Sequence, residues 1–190
     1  MNSFVIGISG VSGSGKTTLT QKLSEGLNAT KLFWDEFDEV SNSPDDYVEW
    51  YNSGRNYDAF DYISLSQTLL ELKVGKSIKH PVTGQMLNPS KYIIFDAPLG
   101  RLHEQTGKYI NFCIHIDTPL DISLVRRTLR DFTDSNKTKE ELLEDLNFYM
   151  NSSRPLFCDK LLIKLADLVI DGLLTPEEQV KKIISNINNN

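Results

Sequence analysis

Apolar and polar positions fall in blocks along this chain, and the period changes from block to block. "FVIGIS" (Phe4 to Ser9) is a short apolar run stopped by glycines, as expected of a strand buried on both faces. The next block repeats every four residues. Leu19, Leu23 and Leu27 mark one face of a helix predicted from about Lys16 to Leu27. "TKLFWD" (Thr30 to Asp35) predicts a second strand ending in acid. Residues 38 to 58 are polar, with Pro44 and Gly54 as punctuation, which predicts loop and a short helix near Tyr47 to Tyr51. A helix is expected from about Phe60 to Val74. After it, "KSIKHPVTGQM" (Lys76 to Met86) places Pro81 and Gly84 between β-compatible residues and predicts a hairpin or flap.

The second half repeats the alternation. "YIIFD" (Tyr92 to Asp96), "INFCIHID" (Ile110 to Asp117) and "ADLVIDG" (Ala166 to Gly172) predict three more buried strands. "TPLDISLVRRTLRDF" opens with Thr118 as a candidate N-cap and Pro119 at the first helical position. A helix from about Lys139 to Met150 puts Leu142, Leu146, Tyr149 and Met150 on one face, and the last opens at "TPEEQV", where Thr175 and Glu178 form a cap pair. Strands alternating with helices predict an α/β fold: a five-stranded parallel sheet with helices on both faces. Ligands of such sheets bind beyond the carboxyl ends of the strands. The polar tail "NINNN" (186–190) is expected to fray.

Composition narrows the classes. The 190 residues suit one domain spanning 1–190, large enough for its own core. A net charge of −6, with no long basic run, argues against a general nucleic-acid or anionic-membrane binder. No apolar stretch approaches the ~18 residues of a membrane span, and the N-terminal run lacks a basic flank, so a cytoplasmic protein is expected. Cys113 and Cys158 form no CxxC pair and are expected to be two buried thiols.

The chemistry enters with "GVSGSGKT". Gly10, Gly15, Lys16 and Thr17 satisfy G-x-x-x-x-G-K-[ST] between a predicted strand and a predicted helix, the context a P-loop requires. Its backbone amides, through Ser12, Gly13, Ser14 and Gly15 to Thr18, would cradle the phosphates of ATP. Lys16 would reach the β and γ phosphates, and Thr17 with Asp96 would hold Mg²⁺. A regulatory GTPase would need NKxD after a later strand. "SNKT" (Ser135 to Thr138) lacks the acid and falls between two predicted helices, and "DAPLG" (Asp96 to Gly100) is one residue too long for D-x-x-G. A motor ATPase would carry an acid pair where "IIFDAP" has one acid. The remaining readings are a small-molecule kinase and, as its alternative, a nucleotide-binding regulatory ATPase acting through a protein partner.

A kinase needs a base, a cationic lid and an acceptor pocket. Asp35, ending the second strand, can take the proton of an acceptor hydroxyl; Glu36, one position on, turns to another face. Arg126, Arg127 and Arg130 cluster on one arc of a helix and can neutralise charge on a transferring phosphoryl group, within a helical lid expected at roughly 126–155. Arg154 is a further candidate. The competing account for these arginines is a solvated face paired with Asp131 and Asp134. In "RNYDAFDY" (Arg55 to Tyr62), Tyr57 could stack on a base, and a carboxylate, Asp58 or Asp61, could accept the two vicinal hydroxyls of a ribose. Trp34, Phe37 and Tyr57 suit core and pocket wall equally, and His80 reads as an exposed turn residue.

These residues together resemble the uridine kinase-like group of P-loop kinases, which includes uridine-cytidine kinases, nicotinamide riboside kinases, bacterial-type pantothenate kinases and phosphoribulokinases. The similar features are "GISGVSGSGKTT", "WDEF" in place of D-D/S-F, "NYDAFD", and an arginine-bearing helix after "HIDTP". The resemblance runs from about residue 3 to 175. It implies ATP–Mg²⁺-dependent phosphorylation of a small-molecule hydroxyl, most simply the 5′-hydroxyl of a nucleoside. It also implies that Asp35 is the base and that Asp58 or Asp61 grips the acceptor sugar; Tyr57 and Arg130, read from the residues themselves, are further candidate contacts to the acceptor. The chain departs from the group in "DFTDSNKTKEE", which replaces an R-G-R continuation, and in "FDAPLG", where an acid followed by Gly is usual. Length and the spacing of "WDEF" from the P-loop lie nearest to nicotinamide riboside kinases.

Overall fold

Strand residues of alternate parity face opposite ways, and that alternation sorts the core into two layers. Val5, Ile93, Phe95 and Leu32 enter one cluster, while Ile6, Ile8, Ile94, Ile114 and Ile116 enter the other. The structure is a computed structural model that describes residues 2–133, 135–158 and 160–188. Its strands are β1 (Phe4–Ser9), β2 (Thr30–Phe33), β3 (Ile78–Lys79), β4 (Met86–Leu87), β5 (Tyr92–Asp96), β6 (Phe112–Asp117) and β7 (Leu168–Asp171). Its helices are α1 (Lys16–Leu27), α2 (Tyr47–Asn52), α3 (Ile63–Lys73), α4 (Glu104–Gly107), α5 (Leu120–Phe132), α6 (Lys139–Phe148), α7 (Lys160–Lys164) and α8 (Pro176–Asn188).

Five strands form one sheet in the order β2-β5-β1-β6-β7, parallel throughout, and β3 and β4 pair as a separate antiparallel flap. This is the expected doubly wound sheet. α1 and α8 cover one face through Leu19, Leu23 and Ile183. α3 covers the other through Leu65, Leu69 and Leu72, alongside Trp34, Phe37, Phe60 and Tyr62. Register brings the carboxyl ends together: Ile8 of β1 and Phe33 of β2 both lie opposite Asp96 of β5.

Several expectations are corrected in detail. β2 stops at Phe33 because Trp34–Val40 winds into a 3₁₀ helix. The helix expected from Phe60 starts at Ile63, after a short 3₁₀ turn at Tyr57–Ala59. Thr118 does not cap α5, whose N-cap is Pro119. Instead its hydroxyl makes a long hydrogen bond, 3.4 Å, to the Ser14 carbonyl, tying β6 to the P-loop. α6 ends at Phe148 and passes into a π-helical turn over Tyr149–Ser153. Cys113 is buried as expected, but Cys158 is exposed. His80 is not an exposed turn residue: it is 3% exposed, its Nδ1 accepts the amides of Val82 and Thr83, and its ring lies 4.5 Å from that of Phe37. It locks the flap turn from inside. α8 reaches Asn188, so the expected frayed tail is helical over its first three residues, and 189–190 lie outside the described residues, as does Asp134. No helix among the described residues is long and apolar enough to cross a membrane.

Candidate active site

β1 delivers the chain into the glycine loop, and α1 takes it out. Gly13 and Gly15 hold φ of 83° and 101°, a region that costs a residue with a Cβ about 1–2 kcal/mol. This curl leaves the amides of Gly13, Gly15, Lys16 and Thr17 with no backbone acceptor among the described residues. The Ser14 hydroxyl is buried without a partner there as well. A Cβ on Gly15 would meet nothing within 4 Å, so there is open space before the loop. Unspent donors at a helix N-terminus, facing open space, fit phosphate oxygens.

Lys16 spans the loop and donates to the Val11 carbonyl at 3.1 Å. Burial pushes its pKa down, against the nearby charges of Asp96 and Asp35, which push it up. Thr17 donates to Asp96 Oδ2 at 3.0 Å. Asp96 is 6% exposed, and burial pushes its pKa up, opposed by Lys16 and by the Thr17 hydrogen bond. A hydroxyl and a carboxylate in contact at the foot of a phosphate loop are hard oxygen ligands suited to Mg²⁺.

Asp35 is exposed on the 3₁₀ helix, close enough to Lys16, Asp96 and Arg130 to feel their charges. It lines a cavity of about 370 Å³ together with Ser12, Trp34, Trp50, Phe60 and Tyr62. Trp34 is therefore both core, at 6% exposure, and pocket wall, whereas Phe37 is core alone. The wall is built from tilted and edge-on ring contacts. The Trp34 ring lies 3.9 Å from that of Tyr62 and 5.0 Å from that of His103, and Trp50 lies 5.2 Å from Phe60. A second cavity of about 420 Å³ adjoins it, sharing Ser12, Trp50, Pro98 and Leu99, and is lined further by Tyr57, Arg55, His115 and Lys160. The two form one bilobed cleft over the P-loop.

The three arginines expected in a lid separate. Arg126 donates to the Gly172 carbonyl at 3.0 Å, beyond the end of β7. Arg127 pairs with Asp145 of α6 at 3.1 Å and lies over the rings of Tyr149 and Phe157. Arg130 alone is felt electrostatically by both Lys16 and Asp35. Its guanidinium pKa is held up, first by the hydrogen bond to Asp131 at 2.7 Å. Neither Asp58 nor Asp61 lines either lobe. Asp61 accepts from Gln105 at 3.0 Å and its backbone bridges Asn42, while Asp58 is exposed.

One residue that the sequence reading missed is Asp38, which lines the smaller lobe with Asp35. Spacing of three on a 3₁₀ helix stacks the two on one side, so the signal lay in the period of "WDEFD", unreadable while that stretch was taken for a strand end. Another is His103, 1% exposed behind Trp34, whose ring nitrogens meet Thr106 Oγ1 and the Phe60 carbonyl, each at 2.8 Å. The carbonyl only accepts, so Nε2 carries the proton and Nδ1 accepts from Thr106. Burial pushes the His103 pKa below its ordinary 6.5. Protonation then favours the unfolded chain, so this residue's contribution to stability is present above about pH 6.5 and falls as pH drops below it. Urea melts between pH 7.5 and 5 should show a shallower acid-side loss for His103→Gln than for the parent.

Comparison with known proteins bears on what this geometry does. The sequence profile of the Phosphoribulokinase / Uridine kinase family matches residues 5–176. The chain belongs to this family. It is 32% identical over 162 residues to the uridine kinase of Borrelia duttonii, covering 79% of this chain and 76% of that one. It is 31% identical over 173 residues to the uridine kinase of Tolumonas auensis, covering 80% and 78%. A crystal structure of a sugar kinase from a Janibacter species superposes with a TM-score of 0.57 at 16% identity, over 98% of this chain and 95% of that one. That last likeness is one of fold. Membership in the family makes this chain an ATP-dependent kinase of the P-loop class with a small-molecule acceptor.

Proposed function

We propose that this kinase transfers the γ-phosphoryl group of ATP to the 5′-hydroxyl of a nucleoside, of the uridine/cytidine or nicotinamide riboside type. The observation that carries the reading is the aromatic-walled lobe beside Asp35, sized and lined for a flat ring next to the P-loop. The loop amides and Lys16 hold the β and γ phosphates. Thr17 and Asp96 would hold Mg²⁺, which when bound offsets the charge of those phosphates. The Asp35 carboxylate accepts the hydroxyl proton as that oxygen bonds to the γ-phosphorus, and the bond from phosphorus to the bridging oxygen breaks to release ADP. Arg130 faces the charge that develops between them. Arg127, bonded to Asp145 of α6, and Arg126, bonded to the Gly172 carbonyl, anchor the segment read as a lid, roughly 126–155.

This division of roles has an expected consequence. Arg130→Ala should lower kcat by about 10²-fold or more with the melting temperature nearly unchanged. Arg126→Ala should instead lower the melting temperature, through loss of its carbonyl partner, with a smaller effect on kcat. Paired kinetics and thermal melts check the ranking, and the opposite ranking assigns the phosphoryl contact to Arg126.

The test of the function is ATP consumption by purified protein with Mg²⁺ across uridine, cytidine, nicotinamide riboside, pantothenate and simple sugars. Stimulation well above the acceptor-free rate by a ribonucleoside is expected. Stimulation by pantothenate or a sugar alone overturns the nucleoside reading while keeping the kinase.

A further inference from the structure

His80 opens the flap turn and is tied into it by backbone and ring. Its amide donates to the Gln85 carbonyl at 2.8 Å, its carbonyl accepts from Gly84 at 3.0 Å, and its Nδ1 accepts the amides of Val82 and Thr83. Both partners of Nδ1 are N–H donors, so the ring proton sits on Nε2. That N–H is buried and makes no hydrogen bond among the described residues. It faces the Glu36 carboxylate, whose Oε2 lies 3.4 Å away. A buried donor without a partner is costly, so a small shift that closes this gap is favoured.

The place of Glu36 gives this contact a consequence. Residues three apart lie on one edge of a 3₁₀ helix, so Trp34–Val40 presents three edges. Trp34 and Phe37 form the edge sunk in the core. Asp35 and Asp38 form the edge that lines the lobe, with Asp38 tied to the Tyr62 hydroxyl at 2.7 Å. Glu36 lies on the third edge, toward the flap, and the next residue, Phe37, packs on the His80 ring. Asp35 is exposed, so its position follows from how this helix is turned. The flap is a firm support to turn it against. Its foot is pinned to the start of β2, where Thr30 Oγ1 donates to the Asn88 carbonyl at 2.6 Å, and Ser77 donates to the Asn88 side chain at 2.8 Å.

We infer that His80 is a positioning residue for the base: its Nε2–H closes onto Glu36, and through this bond the flap sets the rotation of the 3₁₀ helix that presents Asp35 to the acceptor hydroxyl. Neither His80 nor Glu36 lines either lobe of the cleft, so both act through Asp35. The inference rests on Asp35 being the base and not on which acceptor is used.

The test is made at Glu36, which is exposed, because a change at His80 would also release the flap turn. Glu36→Ala should lower kcat about 10-fold, a fraction of what a displacement of about 1 Å can cost, with KM for the acceptor and the melting temperature nearly unchanged. Glu36→Gln keeps an oxygen for the Nε2–H and should return kcat to within about 3-fold of the parent. In the Asp35→Asn background no base is left to position, and there Glu36→Ala should cost less than about 2-fold more. Proton–nitrogen NMR of the imidazole rings, of which the chain has three, reads the bond directly. The His80 Nε2–H should be protected from exchange in the parent and lose that protection in Glu36→Ala. A parent-level kcat in Glu36→Ala, a loss that falls on KM instead, no recovery in Glu36→Gln, or a His80 proton indifferent to Glu36 each overturns the inference. So does a loss carried undiminished into the Asp35→Asn background, which leaves Asp35 standing as the base. Asp35→Asn turning over at the parent rate removes the base itself, and this inference with it.

Discussion

Asp35→Asn is expected to abolish acceptor-dependent ATP turnover, lowering kcat by about 10²–10⁴-fold, the usual worth of a positioned base. The substitution is isosteric and Asp35 is exposed, so the change falls on chemistry. A surface replacement of this kind alters stability by about 0.5 kcal/mol or less, and thermal melts should barely move. Two secondary effects follow from its surroundings. Asp35 supports the charged form of Lys16 and of Arg130, so its removal leaves Lys16 with only Asp96 to oppose burial. ATP affinity should change by a few-fold at most, because the loop amides remain in place. Steady-state kinetics at saturating acceptor, with a separate ATP-binding titration, check both statements. A kcat within a few-fold of the parent removes Asp35 as the base and leaves Asp38 as the carboxylate nearest to hand in the same lobe.

Gly13→Ala is expected to damage both activity and stability, for a reason unrelated to charge. A Cβ at this position would lie 2.1 Å from the Ser123 carbonyl oxygen and 3.3 Å from the Arg127 amide nitrogen, at a φ of 83°. Both obstacles are backbone atoms of α5, so no side-chain rotation relieves them. The loop has to move away from α5 or α5 has to move away from the loop. Displacing a phosphate-positioning element by about 1 Å can cost about 10²-fold in rate, and the strained φ adds about 1–2 kcal/mol of destabilisation. Gly15→Ala makes the informative comparison. Its Cβ meets nothing within 4 Å in the protein at a φ of 101°, so it carries the strain without the clash and its melting temperature should fall less. If Gly15→Ala proves the less stable of the pair, the packing of the loop against α5 is not what fixes its shape.

That contact between Gly13 and α5 marks the boundary between what the chain's local code carries and what it does not. The sheet, its covering helices and the phosphate loop were legible because each depends on neighbours in sequence. Short apolar runs, a period of four in the apolar residues, a glycine where φ turns positive, and a Gly-Lys-Thr run at a helix start are all local signals. The place of Asp35 was legible in part: it lies near Lys16, as a carboxylate just past the second strand should, but on a 3₁₀ helix and not at the strand end. The arginines of α5 were legible as a cluster and no further. Arg126, Arg127 and Arg130 occupy one helix, and their separate partners, Gly172, Asp145 and Asp131, lie 46, 18 and 1 residues away. Only the hydrogen bonds made across the fold, Arg126 to the Gly172 carbonyl and Arg127 to Asp145, separate the three. The same holds for the lobe beside Asp35. Asp58 and Asp61 have the right chemistry at a suggestive spacing, but the turn that carries Asp58 and the bridge from Asp61 to Asn42 keep both outside the cleft. Asp38 enters because the chain leaves β2 as a 3₁₀ helix, with Trp34 and Phe37 drawn into the core. Hydrophobic period and turn chemistry are set within a few residues. The direction of a polar side chain is set by whichever distant group completes its hydrogen bonds, and that is decided only when the layers close.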